Sequence, residues 1–218
     1  MSHIIHYDYK QNSNEWFRAR KKFSITASLV ANIISASANS KTYLKLVQEK
    51  ATGHRIDFSS EAMKHGVECE ELAKIILKKK YPNLVEVGLI HNTKYPDCAA
   101  SPDGIIKAST HTLVEIKCPY SREMKKEIPI GYLHQIQFQM LITEASQCLY
   151  AEFKFTPNDH KYIKSWQKIV KFDENWYPIH REKIENFIKS VKNYSWIDTI
   201  PSASTKVVEV ESECEDIA

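Results

Sequence analysis

Residues 101–119 read SPDGIIKASTHTLVEIKCP and join a Pro-Asp-Gly turn to a segment that carries one acidic and one basic side chain. Within residues 112–118 the side chains alternate between two faces with a period of two, which is typical of a β-strand. Glu115 and Lys117 therefore project from the same face of this strand. The sequence predicts a carboxylate and an ammonium side by side, with Asp103 of the turn as a further carboxylate.

Two carboxylates beside a lysine suit metal-assisted hydrolysis of a phosphodiester. Asp103 and Glu115 offer hard oxygen ligands of the kind that Mg²⁺ prefers, together with waters and phosphate oxygens. Lys117 would orient or activate the attacking water and offset the charge that builds on the phosphate. The alternative is a hairpin with an ordinary surface glutamate and lysine. We favour a nuclease, because the helix features described below add to the same site.

Length and charge are consistent with one domain that has a basic body. The chain has 218 residues, of which 43% are hydrophobic, so it is long enough to bury a proper core. Residues 201–218 carry a net charge of −4 and lack a pattern able to join the core, so we predict a single domain over residues 1–200 followed by a disordered acidic tail. The net charge of +7 on residues 1–200 suits a polyanionic partner.

The cysteine pattern and the hydropathy favour an intracellular, soluble protein. Five cysteines are scattered, with neither a C-x-x-C motif nor a cluster with histidines, so the sequence predicts reduced thiols, no zinc site and no iron–sulfur cluster. No apolar run approaches the length of a membrane span, and the N-terminus lacks the pattern of a signal peptide. We expect the protein in the cytoplasm or in the host-cell compartment of a virus or phage.

Periodicity outlines the order of helices and strands. Capping signals and helical patterns predict helices over about residues 14–22, 26–35, 41–51, 60–80, 130–143 and 176–192. Alternation and turn signals predict strands over about residues 84–91, 97–100, 112–118, 147–155 and 161–172, whereas residues 1–13 are expected to form a loop. The chain is therefore predicted to belong to the α/β (α+β) class.

Two polar residues fall on apolar faces of the predicted helices. Glu70 shares a face of the long helix with Met63, where it either points into the metal site or forms a buried pair with an Arg or Lys. Gln137 lies on the inner stripe of a later helix, where its amide needs hydrogen-bond partners. Those partners are the lysine, a metal-bound water or the substrate if Gln137 is functional, and core groups if it is structural.

The end of the first predicted helix is basic, and a second helix starts just after it with Thr26 as the expected N-cap. Basic side chains there would converge with unpaired backbone N–H groups on an anion such as phosphate. The alternative is a set of solvated basic residues before an ordinary cap.

Several ordered motifs together resemble the YqaJ-like viral recombinase (lambda exonuclease) family of the PD-(D/E)xK nuclease superfamily. The resemblance covers about residues 14–155 and rests on Trp16, Arg20, ITAS at 25–28, HGVECE at 65–70, SPDG at 101–104, EIKCP at 115–119 and YLHQIQFQM at 132–140. It implies a restriction-endonuclease-like core with a central mixed sheet flanked by helices. It also implies Mg²⁺-dependent digestion of double-stranded DNA from a 5′ end, with Mn²⁺ as a substitute. The family often forms a homotrimer around DNA, and a single-strand annealing protein is the implied partner.

The resemblance assigns catalytic roles residue by residue. Asp103 and Glu115 match the family's metal-binding carboxylates, and Lys117 matches its catalytic lysine. Glu70 matches the acid of a G-x-x-x-E helix motif and is the implied further metal ligand. Gln137 matches the late glutamine that supports the active site.

The same resemblance predicts the residues that hold DNA. They comprise a pocket for the terminal 5′-phosphate and two residues of the 130–143 helix, namely Arg20, Ser28, Ser101, Gln135 and Tyr132. The family commonly has a glycine two residues after the arginine, whereas this chain reads RKKFSI from residue 20, with no glycine and one extra residue. The family's arginine therefore corresponds to either Arg20 or Lys21.

The catalytic motif does not dictate where DNA is cut. The favoured function is a 5′-to-3′ exonuclease in viral or phage-type recombination or DNA processing. The alternatives are an endonuclease on the same core and a non-catalytic protein that binds DNA ends. Closed circular duplex distinguishes the two enzymes, because an exonuclease requires an end, and binding without cleavage would favour the third.

Overall fold

The computed structural model describes residues 3–53 and 60–194, which contain six helices. The helices are α1 (Asn14–Lys21), α2 (Ala27–Ser35), α3 (Lys41–Thr52), α4 (Glu61–Lys80), α5 (Ile130–Thr143) and α6 (Trp176–Lys192). Their positions confirm the six predicted helices. The predicted acidic tail and the end of the predicted domain lie outside the described residues.

Nine strands are present in the same ranges of the chain. They are β1 (Ile4–Tyr7), β2 (Ile25–Thr26), β3 (Leu84–Val85), β4 (Leu89–Asn92), β5 (Cys98–Ala100), β6 (Gly104–Ile106), β7 (Thr112–Lys117), β8 (Gln147–Phe155) and β9 (Tyr162–Lys171). Residues 4–7 were expected to be loop, but they pair antiparallel with β4 and so extend a sheet.

The strands form two mixed sheets. The four-stranded sheet has the order β1-β4-β5-β2, and the five-stranded sheet has the order β3-β6-β7-β8-β9. The pairs β2–β5 and β7–β8 are parallel, and the other pairs are antiparallel. The predicted α/β class with mixed sheets is confirmed, although two sheets replace the expected central one.

The predicted strand over residues 84–91 is divided at Gly88, and this division separates the two sheets. Its first part pairs with β6, whereas its second part pairs with β1 and β5. At Gly88 a Cβ atom would lie only 2.1 Å from the carbonyl oxygen of Tyr7. Only glycine allows this close backbone approach, so the chain can cross between the sheets there.

Strand β7 is buried on both faces, which prepares its polar residues for a protected site. On one face, Val114 and Ile116 pack against α4 in a shared apolar cluster. On the other face, Leu113 packs against the α5 residues Ile136 and Met140. Glu115 and Lys117 belong to this second face, as the alternation predicted, and they are directed towards α5.

The buried face of α4 agrees only in part with the predicted one, because Ala73 and Leu77 are buried as predicted and other members of the predicted face are exposed. Cys69, Ala73 and Leu77 pack against β7 and β8, and buried His65 continues the same stripe of every fourth residue. Met63 was expected on the inner face, but it is 51% exposed. The small side chains of Cys69 and Ala73 let the helix approach the sheet closely, which favours this stripe.

Within the two described ranges, no helix is both long and apolar enough to cross a membrane.

Candidate active site

Glu115 stands at the centre of a dense polar cluster between β7 and α5. Its side chain is only 1% exposed, and its Oε1 accepts hydrogen bonds from Lys117 Nζ and from Gln135 Nε2 at 2.7 Å. Its Oε2 accepts a hydrogen bond from Gln139 Nε2 at 2.8 Å. Every carboxylate oxygen therefore has a donor, as a buried charge requires.

Asp103 is placed beside this cluster by backbone hydrogen bonds at the entry to the β6–β7 hairpin. Its N–H donates to the carbonyl of Val114 at 3.0 Å, and the N–H of Ile116 donates to its Oδ2 at 2.6 Å. The side chain of Gln11 fixes the preceding residue, because its amide donates to the carbonyl of Pro102 at 2.8 Å. The role of Gln11 was not predicted, since it comes from a segment remote in sequence.

Burial and neighbouring carboxylates raise the pKa of Asp103 well above its ordinary value. The charges of Glu115 and then Glu70 add to the effect of burial, whereas Lys117 and the N–H of Ile116 oppose it. Three carboxylates therefore share this region with the cations of Lys117 and Lys74. An oxygen-rich, negatively charged set of this kind fits a magnesium-type ion, which would relieve the repulsion.

Glu70 forms the pair with a lysine that was one of its two expected roles, whereas its role as a metal ligand stays a prediction. Its carboxylate forms a salt bridge with Lys74 Nζ at 2.9 Å, and its charge also acts on Asp103. Lys74 itself is 6% exposed and bonds Glu71 at 3.0 Å. Burial alone would lower the pKa of Lys74, but these carboxylates and Asp103 raise it above its ordinary value. Glu70 is thus both a member of a buried pair and a neighbour of the carboxylate cluster.

Lys117 is held as a cation between the carboxylates and an aromatic ring. Burial disfavours its charged form, yet Glu115 and Asp103 raise the pKa of Lys117 above its ordinary value. Its Nζ also lies 5.0 Å from the centre of the Tyr132 ring, a distance at which a cation is attracted to the ring face. Tyr132, predicted to contact DNA, therefore borders the catalytic lysine predicted from the sequence.

Gln137 does not belong to the carboxylate cluster, which corrects its predicted role. Its Nε2 donates to the carbonyl of Lys171 at 2.9 Å, and its Oε1 accepts from the N–H of Asp173 at 2.9 Å. These bonds tie α5 to the end of β9. Gln135 and Gln139 support Glu115 instead, because they lie one helical turn apart on the side of α5 that faces β7. This spacing of four was the available signal for Gln139.

A buried glutamate on β8 anchors the basic segment that follows β7. Glu152 is fully buried and lies opposite Lys117 in the parallel register. Its Oε2 accepts from the Tyr150 hydroxyl at 2.7 Å, and its Oε1 forms a salt bridge with Arg122 at 3.0 Å. The guanidinium of Arg122 is thereby oriented at the border of the site. Sequence reasoning missed Glu152 because it lies within an otherwise apolar strand.

The predicted phosphate pocket forms one connected group around Trp16. Arg20 Nη2 donates to Ser28 Oγ at 3.0 Å, and the guanidinium stacks 4.1 Å from the centre of the Trp16 ring. Trp16 Nε1 donates to Ser101 Oγ at 2.8 Å, and Ser101 Oγ donates to the carbonyl of Gly88 at 2.8 Å. The structure therefore joins three predicted pocket residues through an indole ring whose linking role the sequence did not indicate.

Arg20, and not Lys21, occupies this group, and its assignment to the family's arginine stays a prediction. Its guanidinium also donates to Thr26 Oγ1 at 3.3 Å. The Thr26 side chain makes no capping bond to the helix backbone, so its expected capping role is wrong in this respect. Ser28 lies in the first turn of α2, where the backbone N–H groups have no partner within the helix.

Comparisons with solved structures find exonucleases of similar fold. A crystal structure of an alkaline exonuclease from Laribacter hongkongensis is 26% identical, with a TM-score of 0.67, over 83% of this chain and 93% of that chain. The same exonuclease has been solved in complex with dAMP, at a TM-score of 0.66. A phage-related exonuclease from Haemophilus somnus 129PT shares the fold, with a TM-score of 0.60 at 14% identity, covering 77% of this chain and 92% of that one.

A viral relative and a family model complete the comparison. An uncharacterized protein of Acanthamoeba polyphaga mimivirus is 29% identical over an alignment of 186 residues, and the match covers 75% of this chain. The chain spans about a third (32%) of the length of that relative. The model of the YqaJ-like viral recombinase domain matches residues 15–146. This range includes the carboxylate cluster (Glu70, Asp103 and Glu115) and the Arg20 group (Trp16, Arg20, Ser28 and Ser101). The chain therefore belongs to the YqaJ-like viral recombinase domain family.

Proposed function

We propose that this chain is a metal-dependent DNA phosphodiester hydrolase that acts as an exonuclease on the ends of linear duplex. The observation that carries the proposal is the convergence of Asp103, Glu115 and Glu70 on one cluster with the cation of Lys117. The match to an alkaline exonuclease covers 93% of that exonuclease chain. This similarity supports the same class of reaction for the present chain. Mg²⁺ is the proposed cofactor, and Mn²⁺ is the expected substitute.

The side chains have separate tasks in the proposed reaction. Asp103 and Glu115, with Glu70, would hold the ion, which when bound polarises the phosphate and lowers the pKa of a bound water. Lys117 is already protonated, so it would act as a hydrogen-bond donor that orients the nucleophile and offsets phosphate charge rather than as the base. Gln135 and Gln139 would keep the Glu115 carboxylate in its orientation.

The position of the Arg20 group supports recognition of a phosphorylated 5′ end. Arg20 and Ser28 present a cation and a hydroxyl at a helix start, which suits a terminal phosphate. Ser101, at the other side of the group, precedes Asp103 by two residues in the same turn. A terminal phosphate held here would leave the adjacent phosphodiester near the carboxylates, so we propose stepwise 5′-to-3′ release of mononucleotides.

The wider role proposed for the chain follows from its family. We propose that it acts in viral or phage-type recombination or DNA processing, where digestion of one strand exposes single-stranded DNA for an annealing protein. A homotrimer around the duplex is the proposed assembly.

The test of this function compares three DNA substrates of one sequence in Mg²⁺ buffer. They are linear duplex with 5′-phosphate ends, linear duplex with 5′-hydroxyl ends, and covalently closed circles. We expect loss of both linear forms, faster from phosphorylated ends, with the circles intact. If the circles are cleaved, the proposed function changes from an exonuclease to an endonuclease. If the chain binds DNA ends without cleaving any substrate, it is a non-catalytic end-binding protein.

Arg20→Gln isolates the contribution of the phosphate pocket in the same experiment. We expect this variant to lose most of the rate difference between the two kinds of end, because the guanidinium no longer meets the terminal phosphate. Lys21→Gln removes an equal charge from the next residue and should keep the difference. If the Arg20→Gln chain still prefers phosphorylated ends as strongly as its parent, the assignment of the phosphate pocket to Arg20 is wrong.

The two glutamines of α5 offer a matched pair of variants. We expect Gln139→Met to slow cleavage about 10–100-fold, because a residue that orients a metal ligand is lost. Gln137→Met removes only the bonds from α5 to the end of β9, so it should lower Tm while kcat changes by less than about threefold. Steady-state kinetics and thermal melts on both chains test this, and equal losses of kcat would contradict the assignment.

A further inference from the structure

A second group of metal-binding side chains lies where α4 meets the turn between β8 and β9. His65 and Cys69 are buried one helical turn apart on α4, and His160 belongs to the turn. One candidate ligand atom from each of the three lies within 4.8 Å of the other two. The sequence predicted no Cys/His cluster, and the structure corrects this, because His160 lies far from Cys69 in the chain and only folding brings them together.

The spacing of these atoms matches a tetrahedral zinc site. Zn²⁺ binds sulfur at about 2.3 Å and imidazole nitrogen at about 2.0–2.1 Å, so neighbouring tetrahedral ligands lie about 3.4–3.6 Å apart. Cys69 Sγ lies 3.5 Å from His65 Nε2 and 3.7 Å from its Nδ1, so either nitrogen can turn towards a shared ion. Glu68 Oε2 lies 3.4 Å from His160 Nε2 but outside the group of three ligand atoms, so this exposed side chain would turn inward to supply a fourth ligand.

Neighbouring side chains enclose the buried His65 of this group. The ammonium of Lys154 is engaged by the carbonyl of Tyr120 at 3.0 Å, and the Tyr120 ring packs edge-on against His65 with ring centroids 5.3 Å apart.

The backbone of the turn holds His160 in a conformation that few residues adopt. Its φ of 50° lies in the left-handed region, which is uncommon outside glycine, although Asn, Asp and His are enriched there. The turn is closed by Thr156, whose carbonyl accepts from the N–H of His160 at 3.2 Å and whose Oγ1 accepts from the N–H of Lys161 at 2.8 Å. The imidazole is therefore placed beside α4 by the fold itself.

We propose that His65, Cys69 and His160, with Glu68 as the fourth ligand, form a structural zinc site. Nitrogen and sulfur donors select Zn²⁺, whereas the oxygen donors of the active site suit Mg²⁺, so the two sites would hold different metals. The ion would link α4 to the β8–β9 turn. Because Glu70 follows Cys69 directly, the ion would also steady the helical turn that carries this predicted ligand of the active site.

The test uses the full chain, freed of metal by chelation and titrated with Zn²⁺ or with Co²⁺ as a spectroscopic probe. We expect one Zn²⁺ per chain to survive dialysis against Mg²⁺ buffer, Tm to rise by about 5–10 °C, and Co²⁺ to give a thiolate charge-transfer band. Cys69→Ala should abolish that band, and His160→Asn should weaken Zn²⁺ binding about 100-fold or more.

The choice of asparagine at position 160 and two control variants separate loss of the site from loss of the fold. Asparagine tolerates the left-handed backbone, so His160→Asn should fold without its imidazole. His111→Asn removes an exposed histidine elsewhere and should keep Zn²⁺ binding. Asp103→Asn removes an active-site oxygen ligand and should keep the cobalt band. The proposal is overturned if the parent retains no Zn²⁺ after dialysis, or if Cys69→Ala and His160→Asn retain the parental stoichiometry and band.

Discussion

The Lys117→Met chain is expected to bind linear duplex normally but to cleave it about 10²–10⁴-fold more slowly than the parent. Lys117 is the cation that Glu115 and Asp103 hold at the carboxylate cluster, where it would orient the nucleophile. Methionine keeps much of the length and apolar volume of lysine, so the change removes mainly the charge and the donor. The loss should therefore fall on the chemical step.

Single-turnover cleavage of 5′-phosphorylated duplex in Mg²⁺ measures this loss, with an independent binding assay in Ca²⁺ or chelator. Lys168→Met is the matched control, because Lys168 is an exposed lysine on β9, which is separated from β7 by β8 in the sheet. The control should cleave within about threefold of the parent. A Lys117→Met chain that is folded by circular dichroism and cleaves as fast as Lys168→Met would refute the proposed role of Lys117.

The Asp103→Asn chain is expected to lose activity and gain stability at the same time. Loss of a metal-binding carboxylate removes several kcal/mol of transition-state stabilisation, which corresponds to a rate decrease of about 10³-fold or more. The asparagine amide can still accept the hydrogen bond from the N–H of Ile116 and can donate to a neighbouring carboxylate such as Glu115. Without the repulsion among buried charges, we expect a gain of about 0.5–2 kcal/mol in the free energy of unfolding at neutral pH.

The pH dependence of stability separates this effect from ordinary changes in packing. The pKa of Asp103 is raised in the folded chain by burial and then by the charges of Glu115 and Glu70, above the unfolded value of about 3.9. Between these two pKa values the folded state binds more protons, so the stability associated with Asp103 falls as pH rises through the window. Asp103→Asn should abolish this fall, since asparagine does not titrate.

Thermal melts from acid to neutral pH, with chelator and with Mg²⁺, provide the measurement. In chelator, the difference in Tm between Asp103→Asn and the parent should grow as pH rises. Mg²⁺ should stabilise the parent at neutral pH more than the variant, because it binds the carboxylates that repel one another. A variant less stable than its parent at neutral pH in chelator would show that the repulsion at Asp103 is not the dominant effect of this carboxylate.

Local sequence patterns were sufficient to predict the helices and the strand that carry the site. The alternation in residues 112–117 alone places Glu115 and Lys117 on one face, because successive side chains of a strand point to opposite sides. The structure has this arrangement, and the helix patterns likewise predicted the six helices found in the described ranges. These patterns extend over one or two helical turns or a few strand residues. They can therefore be recognised without knowledge of the rest of the fold.

Tertiary packing decided which amides support Glu115. The helical pattern correctly predicted that Gln137 is buried, and it is 7% exposed. A helix pattern gives the direction of a side chain around the axis but not the identity of the element that lies in that direction. In the fold, Gln137 meets the end of β9, whereas Gln135 and Gln139 meet Glu115 on β7.

The sequence by itself thus determined the family, the α/β class and the residues that form the carboxylate–lysine centre. Only the tertiary structure decided that Trp16 joins Arg20 to Ser101 and that His160 meets His65 and Cys69. Contacts of this kind depend on how folding of the whole chain balances burial of apolar surface against loss of conformational entropy. They do not depend on the secondary-structure propensities of neighbouring residues. Local propensity therefore specifies elements and faces, whereas the contacts between remote segments exist only once the core has formed.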